Sequence, residues 1–395
     1  MNILWVSPFL PKADAAHAGG RALAQWVQGT AARHAVTLLT RVEPGEGAAA
    51  AALEPQLAGL HVQEFRRPAA GPLQAARIAA SYARLGRAAN RLLAGGGFDI
   101  LHVEYLETGL GIAAGGRAPA LMVAHDELTR PAHHRLQLAR GARARLGAWL
   151  YWRAVDRLER RICRKFDRIL TLSEHDRRTL LARDGGLSVG VLPFPIGLDL
   201  ARVTPGARGG AELLFVGAMH RDANVDAIRH FCDAVLPRVR AEVPEARLTI
   251  VGADPPAEVR RLAASPGVQV TGFVEALEPY YARATAFVSP LRIAGGIPGK
   301  NLDAMAAGCP IVTTTLGNEG LGATPGEHLL TADTPGDFAA AVVRLLRDAA
   351  LRHRLGERAR EFARARFDVE TSVAALGREH QALARASALT RRSGA

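Results

Sequence analysis

Arg292, Gly295, Gly296, Lys300 and Asp303 fall in one short stretch of the chain, between Ser289 and Val312. An apolar strand signal (Ala286, Phe287, Val288) precedes them. A helix is expected to begin at about Gly299 and to stop at Gly308, with Pro310 opening the next strand. A glycine loop entering a helix leaves free N–H groups and the positive end of the helix dipole facing one point, which suits phosphate. Arg292 and Lys300 bracket that loop, and Asp303 sits one turn inside the helix. The stretch therefore reads as a seat for a nucleoside diphosphate, with Asp303 as a hydrogen-bond acceptor. The alternative reading is a tight strand-to-helix turn with surface charges, because glycine loops recur in many α/β folds. Asp303 would then be a first-turn acid favoured by the dipole.

The elements that must position these groups come from the pattern along the chain. Strands are expected at Ile3–Ser7, Val36–Thr40, His61–Phe65, Ile100–Glu104, Leu121–His125, Ile169–Ser173 and Val189–Leu192. Helices fall between most of them, at about Arg21–Arg33, Leu73–Leu93 and Arg143–Lys165. Residues 193–210, rich in Pro and Gly, read as an interdomain linker. The alternation then restarts, with strands at Leu213–Gly217, Arg247–Gly252, Val268–Gly272, Ala286–Ser289, Ile311–Thr314 and His328–Leu330. Helices follow at about Asn224–Val243, Ala257–Ala264, Leu277–Arg283, Lys300–Ala307 and Asp337–Leu346, with a last run from Ala349 to about Arg366. Such alternation implies parallel sheets with helices on both faces. The fold class is α/β, with two Rossmann-like domains: residues 1–192, then, after the linker, residues 211–366. Residues 367–395 form a helical tail expected to pack back on the first domain.

Open α/β sheets bind ligands at the carboxyl ends of their strands, so the site is expected between the two domains. In the first half the loops on that side are Pro8–Gly20, which ends in Gly19 and Gly20 before a helix, Glu104–Gly109, and His125 with Asp126 and Glu127. In the second half they are Gly217–Asn224 and Arg292–Lys300. His125 has an alternative reading as a surface histidine beside a helix cap, with Asp126 capping the next segment. His17, His133 and His134 read as solvated loop residues.

Composition narrows the function classes. The 395 residues are enough for two ordinary domains. No stretch approaches the ~18 uninterrupted apolar residues of a membrane span, and the N-terminus is already a strand pattern, unlike a signal peptide. Cys163, Cys232 and Cys309 have neither disulfide nor metal-ligand spacing, which fits a reducing cytoplasm. The net charge is +12 and is concentrated: between His133 and Arg168 eleven Arg or Lys face only Asp156, Glu159 and Asp167. Trp149, Tyr151 and Trp152 lie inside this patch, as at a membrane–water boundary. The part expected to touch an anionic membrane is residues 133–152. Residues 152–166, with Val155, Leu158, Ile162, Phe166 and Ile169 at helical spacing, read as a helix packed on a core with a solvated basic face. Nucleic acid is not expected, since no nucleic-acid module is recognisable and aromatics for base stacking are few.

Several motifs in order resemble one family. They are Gly19-Gly20, the strand Phe98-Asp99-Ile100-Leu101-His102-Val103, the strand end Leu172-Ser173-Glu174, and the segment from Leu192 to Asp199, whose Pro195 and Ile196 disturb the usual order. Leu213–Gly217, Leu248–Gly252, Val270–Gly272 and the run from Asp303 to Val312 follow. Over nearly its whole length the chain resembles a retaining glycosyltransferase of GT-B fold (group 1, family 4-like) that uses nucleotide-diphosphate sugars. It departs from the family pattern at Gly295, where an acid is usual, and Arg221 is out of register with the family's loop cations. It looks instead like a subgroup with an Arg and glycine-rich donor loop, a Lys-x-Leu-Asp-Ala-Met helix and a following Glu-Gly-Leu, here Glu319-Gly320-Leu321.

The resemblance implies a metal-independent retaining hexosyltransferase with a nucleotide sugar as co-substrate, no resident cofactor, and a glycan or lipid-linked acceptor. It implies catalytic roles for His125, Arg292 and Lys300. Donor contacts would come from Gly217, Val274, Arg292, Gly295, Gly296, Ile297, Lys300, Asp303, on the ribose, and Glu319. Gly19, Gly20, Glu104 and Asp126 would lie on the acceptor side, and no residue is assigned to a metal. The protein is expected in the cytoplasm, peripherally on the inner face of the cell membrane. Two alternatives stay open: a nucleotide-sugar 2-epimerase of the same fold, and a catalytically silent nucleotide-sugar-binding protein.

Overall fold

Short runs of Val, Ile, Leu and Phe become buried parallel strands, because strands covered on both faces need apolar residues at nearly every position. The computed structural model describes all residues except 16–17, 67, 69–72, 114, 116–117, 204–208, 220, 294–295 and 394–395, and only the backbone at 131, 134, 138 and 390–393. The described chain falls into two compact units. One comprises Met1–Asp14, Leu23–Pro193 and Glu370–Ala395; the other comprises Ala15–Ala22 and Phe194–Val369.

In the first unit β1 (Asn2–Ser7), β2 (Ala35–Val42), β3 (Gly59–Glu64), β4 (Ile100–Glu104), β5 (Ala120–Ala124), β6 (Arg168–Thr171) and β7 (Val189–Val191) form a parallel sheet in the order β3-β2-β1-β4-β5-β6-β7. Leu4, Val6, Leu101, Val103, Met122 and Ile169 lie in one apolar core that the helix Gln74–Ala94 helps to cover through Leu85, Ala89 and Leu93. The long helix Val369–Ser393 belongs mostly to this unit. Ser372 on it accepts a 2.7 Å hydrogen bond from the Trp26 indole and donates to the Pro193 carbonyl, and Glu379 forms a two-point ion pair with Arg168 at 2.8 and 2.9 Å.

In the second unit β8 (Glu212–Val216), β9 (Arg247–Val251), β10 (Val268–Gly272), β11 (Ala286–Ser289), β12 (Ile311–Thr313) and β13 (Leu330–Thr331) form a parallel sheet in the order β10-β9-β8-β11-β12-β13. In both sheets the order reverses beside the central strand, β1 or β8, the point where doubly wound folds bind ligands. β13 begins later than the sequence suggests, because His328 is drawn into a turn: its Nδ1 accepts from the Thr324 N–H at 2.9 Å.

Two expectations are corrected. The helix expected from Arg21 begins at Ala18, so Gly19 and Gly20 form its first turn and are not a loop before it. At the start of the segment read as a linker, Phe194, Ile196 and Leu198 are buried, and the Ile196 N–H donates to the Phe367 carbonyl at 2.9 Å. The stripe expected over residues 152–166 does not hold along one helix. The helix Ala142–Cys163 ends before Phe166, Ile169 lies in β6, and Leu158 is exposed. The buried positions include Asp156 and Glu159, satisfied by Arg160 and Arg183, so paired charge takes the place of apolar burial there.

Candidate functional site

In the second unit the loop after β11 leads into the helix Gly299–Ala306, which is buried over most of its length. Gly296 takes a positive φ of 58°. A side chain at Gly320 would meet the Gly296 carbonyl at 2.1 Å, so two glycines let this loop lie against the turn that follows Glu319. Glu319 ends the short helix Thr315–Glu319, whose Thr314 cap accepts from Gly317 N–H at 3.0 Å. Thr314 also donates to the Leu291 carbonyl at 2.7 Å, tying that helix to the loop. Ile297 and Val274 are half-buried, and Gly217 follows β8; Gly295 lies outside the described residues.

Lys300 is half-buried in the first turn of the helix. Its Nζ donates to Asn224 Oδ1 and lies 4.6 Å from the centroid of the Phe215 ring. Asn224 is itself fixed by donating to the Ala218 carbonyl at 2.8 Å. Burial lowers the Lys300 ammonium from an ordinary 10.5 to about 7, with the nearby Arg221 adding to the effect. Arg292 is exposed and its Nε donates to Asp226 Oδ2 at 3.0 Å. The two expected cations thus differ in kind: one is enclosed and loses its charge readily, the other is solvated and already paired. Arg221 comes from the end of the loop after β8, and Asn224 from the first turn of the helix Asp222–His230 that follows it; Arg221 is visible in the sequence as a cation out of register, whereas the contact of Asn224 with Lys300 is not.

Asp303 is buried, and both its oxygens are engaged. Arg21 donates to Oδ2 at 3.0 Å and the Gly197 N–H to Oδ1 at 3.0 Å. Burial pushes its carboxyl above the ordinary range, against the pull of Arg21 and the Gly197 N–H. A side chain at Gly197 would crowd this contact, because a Cβ would sit 2.9 Å from Arg21 Nε and 3.3 Å from Asp303 Oδ1 and Arg21 would have to shift. The sequence singled out Asp303 but not its partners, although Arg21 directly follows Gly19-Gly20.

In the first unit Glu104 closes β4, where the strand reading puts it and where the acceptor-side loop begins, and is fully buried. Its Oε2 lies 2.6 Å from His125 Nε2 and its Oε1 lies 2.9 Å from His102 Nε2. His125, at the end of β5, is 4% exposed and stacks on Tyr105 with ring centroids 3.8 Å apart. This overturns its reading as a surface histidine. Asp126 is exposed, and it does not cap the next helix: Thr129–Leu138 has Leu128 at that position with no side-chain cap. Glu127, which has no assigned role in the sequence reading, is buried beside Arg183 at 3.3 Å, and burial pushes its carboxyl up to about 7. His133 lies on the helix Thr129–Leu138, not in a loop, and is exposed; His17 lies outside the described residues. Among the described residues no three His, Cys, Asp or Glu are placed to hold a metal ion.

Lys300 makes the pH dependence of stability testable. Unfolded, it keeps its proton to about 10.4; folded, it gives it up at about 7. Between these values the unfolded chain binds more protons, so Lys300 makes stability rise as pH climbs from about 7 towards 10, and adds no slope below that window. Urea unfolding across this range should show the rise in the parent protein and a smaller one in Lys300→Met. The same slope in both would contradict the enclosure of Lys300.

Residues 19–199 match the family described as Glycosyltransferase Family 4, and residues 210–348 match the family described as Glycosyl transferases group 1. Among curated proteins, glycogen synthase of Mycobacterium tuberculosis is 32% identical over 251 residues, covering 59% of this chain and 58% of that protein. The chain spans about half the length of the curated relatives it matches. Among solved structures, sucrose-phosphate synthase from Thermosynechococcus elongatus superposes with a TM-score of 0.75 at 20% identity over 98% of this chain and 99% of that one. Anabaena HepE, solved in complex with UDP and glucose, superposes with a TM-score of 0.64 at 16% identity over 95% of this chain and 98% of that one. With a doubly wound parallel sheet in each half and a glycosyltransferase family matched over each, the chain is built from the two domains of a GT-B-fold glycosyltransferase.

Proposed function

We propose that the protein transfers a hexose from a nucleotide-diphosphate sugar to a glycan or lipid-linked acceptor, with retention of configuration at the anomeric carbon and without a metal ion. The observation that carries this reading is the glycine loop entering the helix Gly299–Ala306, with Lys300 inside its first turn and Arg292 and Arg221 close by. As the glycosidic bond breaks, negative charge gathers on the departing diphosphate. Helix-end N–H groups and cations already in place stabilise that charge more than the ground state. Lys300 suits the task because a diphosphate beside it favours the charged form, so it takes up a proton as the donor binds. Arg292 is free to turn to a phosphate because an exposed pair such as its bond to Asp226 is worth only about 0–1 kcal/mol.

Asp303 is assigned to the donor ribose and His125 to the donor sugar or phosphate, both on the family resemblance. HepE is described with UDP and glucose, which supports a nucleotide sugar as the donor here. Retention also follows from the resemblance: the departing phosphate helps to remove the acceptor proton on the face from which it leaves. An NMR time course with nucleotide sugars and candidate acceptors should show the donor's anomeric configuration in the first product. An inverted signal, or epimerised nucleotide sugar formed without acceptor, would overturn the reading.

The helical hairpin of Thr129–Leu138 and Ala142–Cys163 is assigned to an anionic membrane face, which would place the protein on the cytoplasmic side. Residues 141–151 are exposed except for a half-buried Ala148, and Leu146, Trp149, Leu150 and Tyr151 are 45–58% exposed. Arg143 and Arg145 share this exposed stretch and Arg140 precedes it. Aromatic rings with basic side chains suit the headgroup layer, where each cation adds about 1 kcal/mol of attraction that fades with salt. No helix among the described residues is long and apolar enough to cross a membrane. Vesicle flotation should therefore depend on anionic lipid, fall at high salt, and weaken in the Arg140→Gln, Arg143→Gln, Arg145→Gln triple variant. Equal flotation with neutral and anionic vesicles, or none with either, would refute the assignment.

A further inference from the structure

The first unit contains a line of buried hydrogen bonds that the transfer step above does not use. His380 Nε2 lies 2.8 Å from His102 Nδ1, His102 Nε2 lies 2.9 Å from Glu104 Oε1, and Glu104 Oε2 lies 2.6 Å from His125 Nε2. His102, Glu104 and His380 have no exposed surface. Trp5 stacks on His102 at 3.6 Å and meets the edge of His380 at 6.1 Å. At the other end His125 is held between the Tyr105 ring, stacked at 3.8 Å, and the edge of Trp26 at 5.8 Å. Tyr105 adopts a φ of 65°, a backbone conformation that costs energy for a residue with a side chain and that is found where a site demands it.

Counting hydrogens assigns each bond a direction. Burial would push the Glu104 carboxyl up, but the hydrogen bonds from His102 and His125 pull it below the ordinary range. It is a carboxylate and only accepts, so both facing nitrogens, His102 Nε2 and His125 Nε2, carry hydrogen. Burial, with His102 nearby, holds His380 well below the ordinary histidine range, so it carries one hydrogen. Its Nδ1 is buried with no hydrogen-bond partner among the described residues. A hydrogen there would be an orphaned buried donor, the costlier kind of unmet group. The hydrogen therefore sits on His380 Nε2 and is donated to His102 Nδ1, which leaves His102 able to donate only towards Glu104.

We propose that His380, His102 and Glu104 are positioning residues that hold His125 with its Nε2 hydrogen turned inward, leaving Nδ1 as the ring nitrogen available to a ligand. The proposal rests on the reading that His125 meets the donor. It ties the C-terminal helix Val369–Ser393, through His380, to the orientation of that one imidazole.

Side-chain 1H–15N correlation spectra of the full chain, assigned with single His→Gln variants, test it without any substrate. His102 and His125 should both be protonated on Nε2. In Glu104→Gln the amide offers one acceptor and one donor. His380 fixes the His102 hydrogen, so the amide oxygen must face His102 and the NH2 must face His125. His125 Nε2 should therefore lose its hydrogen while His102 is unchanged, and kcat should fall about ten- to a hundredfold with KM for the donor unchanged. Should that variant not fold, His380→Leu should lower kcat and His380→Gln, which again offers a donor to His102, should restore it. An unprotonated His125 Nε2 in the parent, no change at His125 in Glu104→Gln, or equal kcat in the two His380 variants would overturn the proposal. If no nucleotide sugar supports transfer, the functional reading fails, whereas the spectra still decide the order of the hydrogens.

Discussion

A carboxylate taken out of water must be given partners where it lies, and each unit of this protein meets that demand at its candidate site. In the second unit it is Asp303, held by the Arg21 guanidinium and the Gly197 N–H; in the first it is Glu104, held between two imidazoles. Removing one of the two partners would leave a buried carboxylate oxygen unmet, at a cost on the order of 1–3 kcal/mol. This requirement bears on a detail that would otherwise look arbitrary. A side chain at Gly197 would crowd the Arg21–Asp303 contact.

The same constraint gives Lys300 its character. An ammonium in the first turn of a helix stands where the dipole disfavours positive charge, and here it is half-buried as well, with one amide oxygen and one aromatic face for company. Burial, with Arg221 nearby, lowers its ammonium to about 7. A group so poised gains more from an arriving anion than a solvated lysine does, because its charged form is poorly supported until the anion comes. Arg292 lies at the other extreme, exposed and paired with Asp226. In the proposed site one cation responds to the donor and the other exchanges one carboxylate for a phosphate.

Much of the architecture is legible in the sequence because its signals are local. Ile3–Val6, Leu213–Val216 and Ala286–Val288 are unbroken apolar runs, as two-sided burial requires. Lys300 and Asp303 stand out because their spacing from the glycines is short and the helix start is marked by Gly299. The partners are not legible, because they arrive from far along the chain: Arg21 to Asp303, Asn224 to Lys300, His380 to His102. The start of the helix at Ala18 was hidden because two glycines argue against helix by propensity, although they are tolerable in a first turn. The mixed stripe of Ala142–Cys163 misled for a related reason: Asp156 and Glu159 face inward with arginine partners that the periodicity of apolar residues cannot reveal.

In the proposed function the loop and helix around Lys300 hold the diphosphate of a nucleotide sugar. Isothermal titration of a nucleoside diphosphate into the parent protein, Lys300→Ala and Arg292→Ala tests it most directly. Each substitution removes a charge-assisted hydrogen bond, so affinity should weaken by roughly 1.5–3 kcal/mol, provided each variant unfolds cooperatively like the parent. Unchanged affinity in both variants would contradict the account.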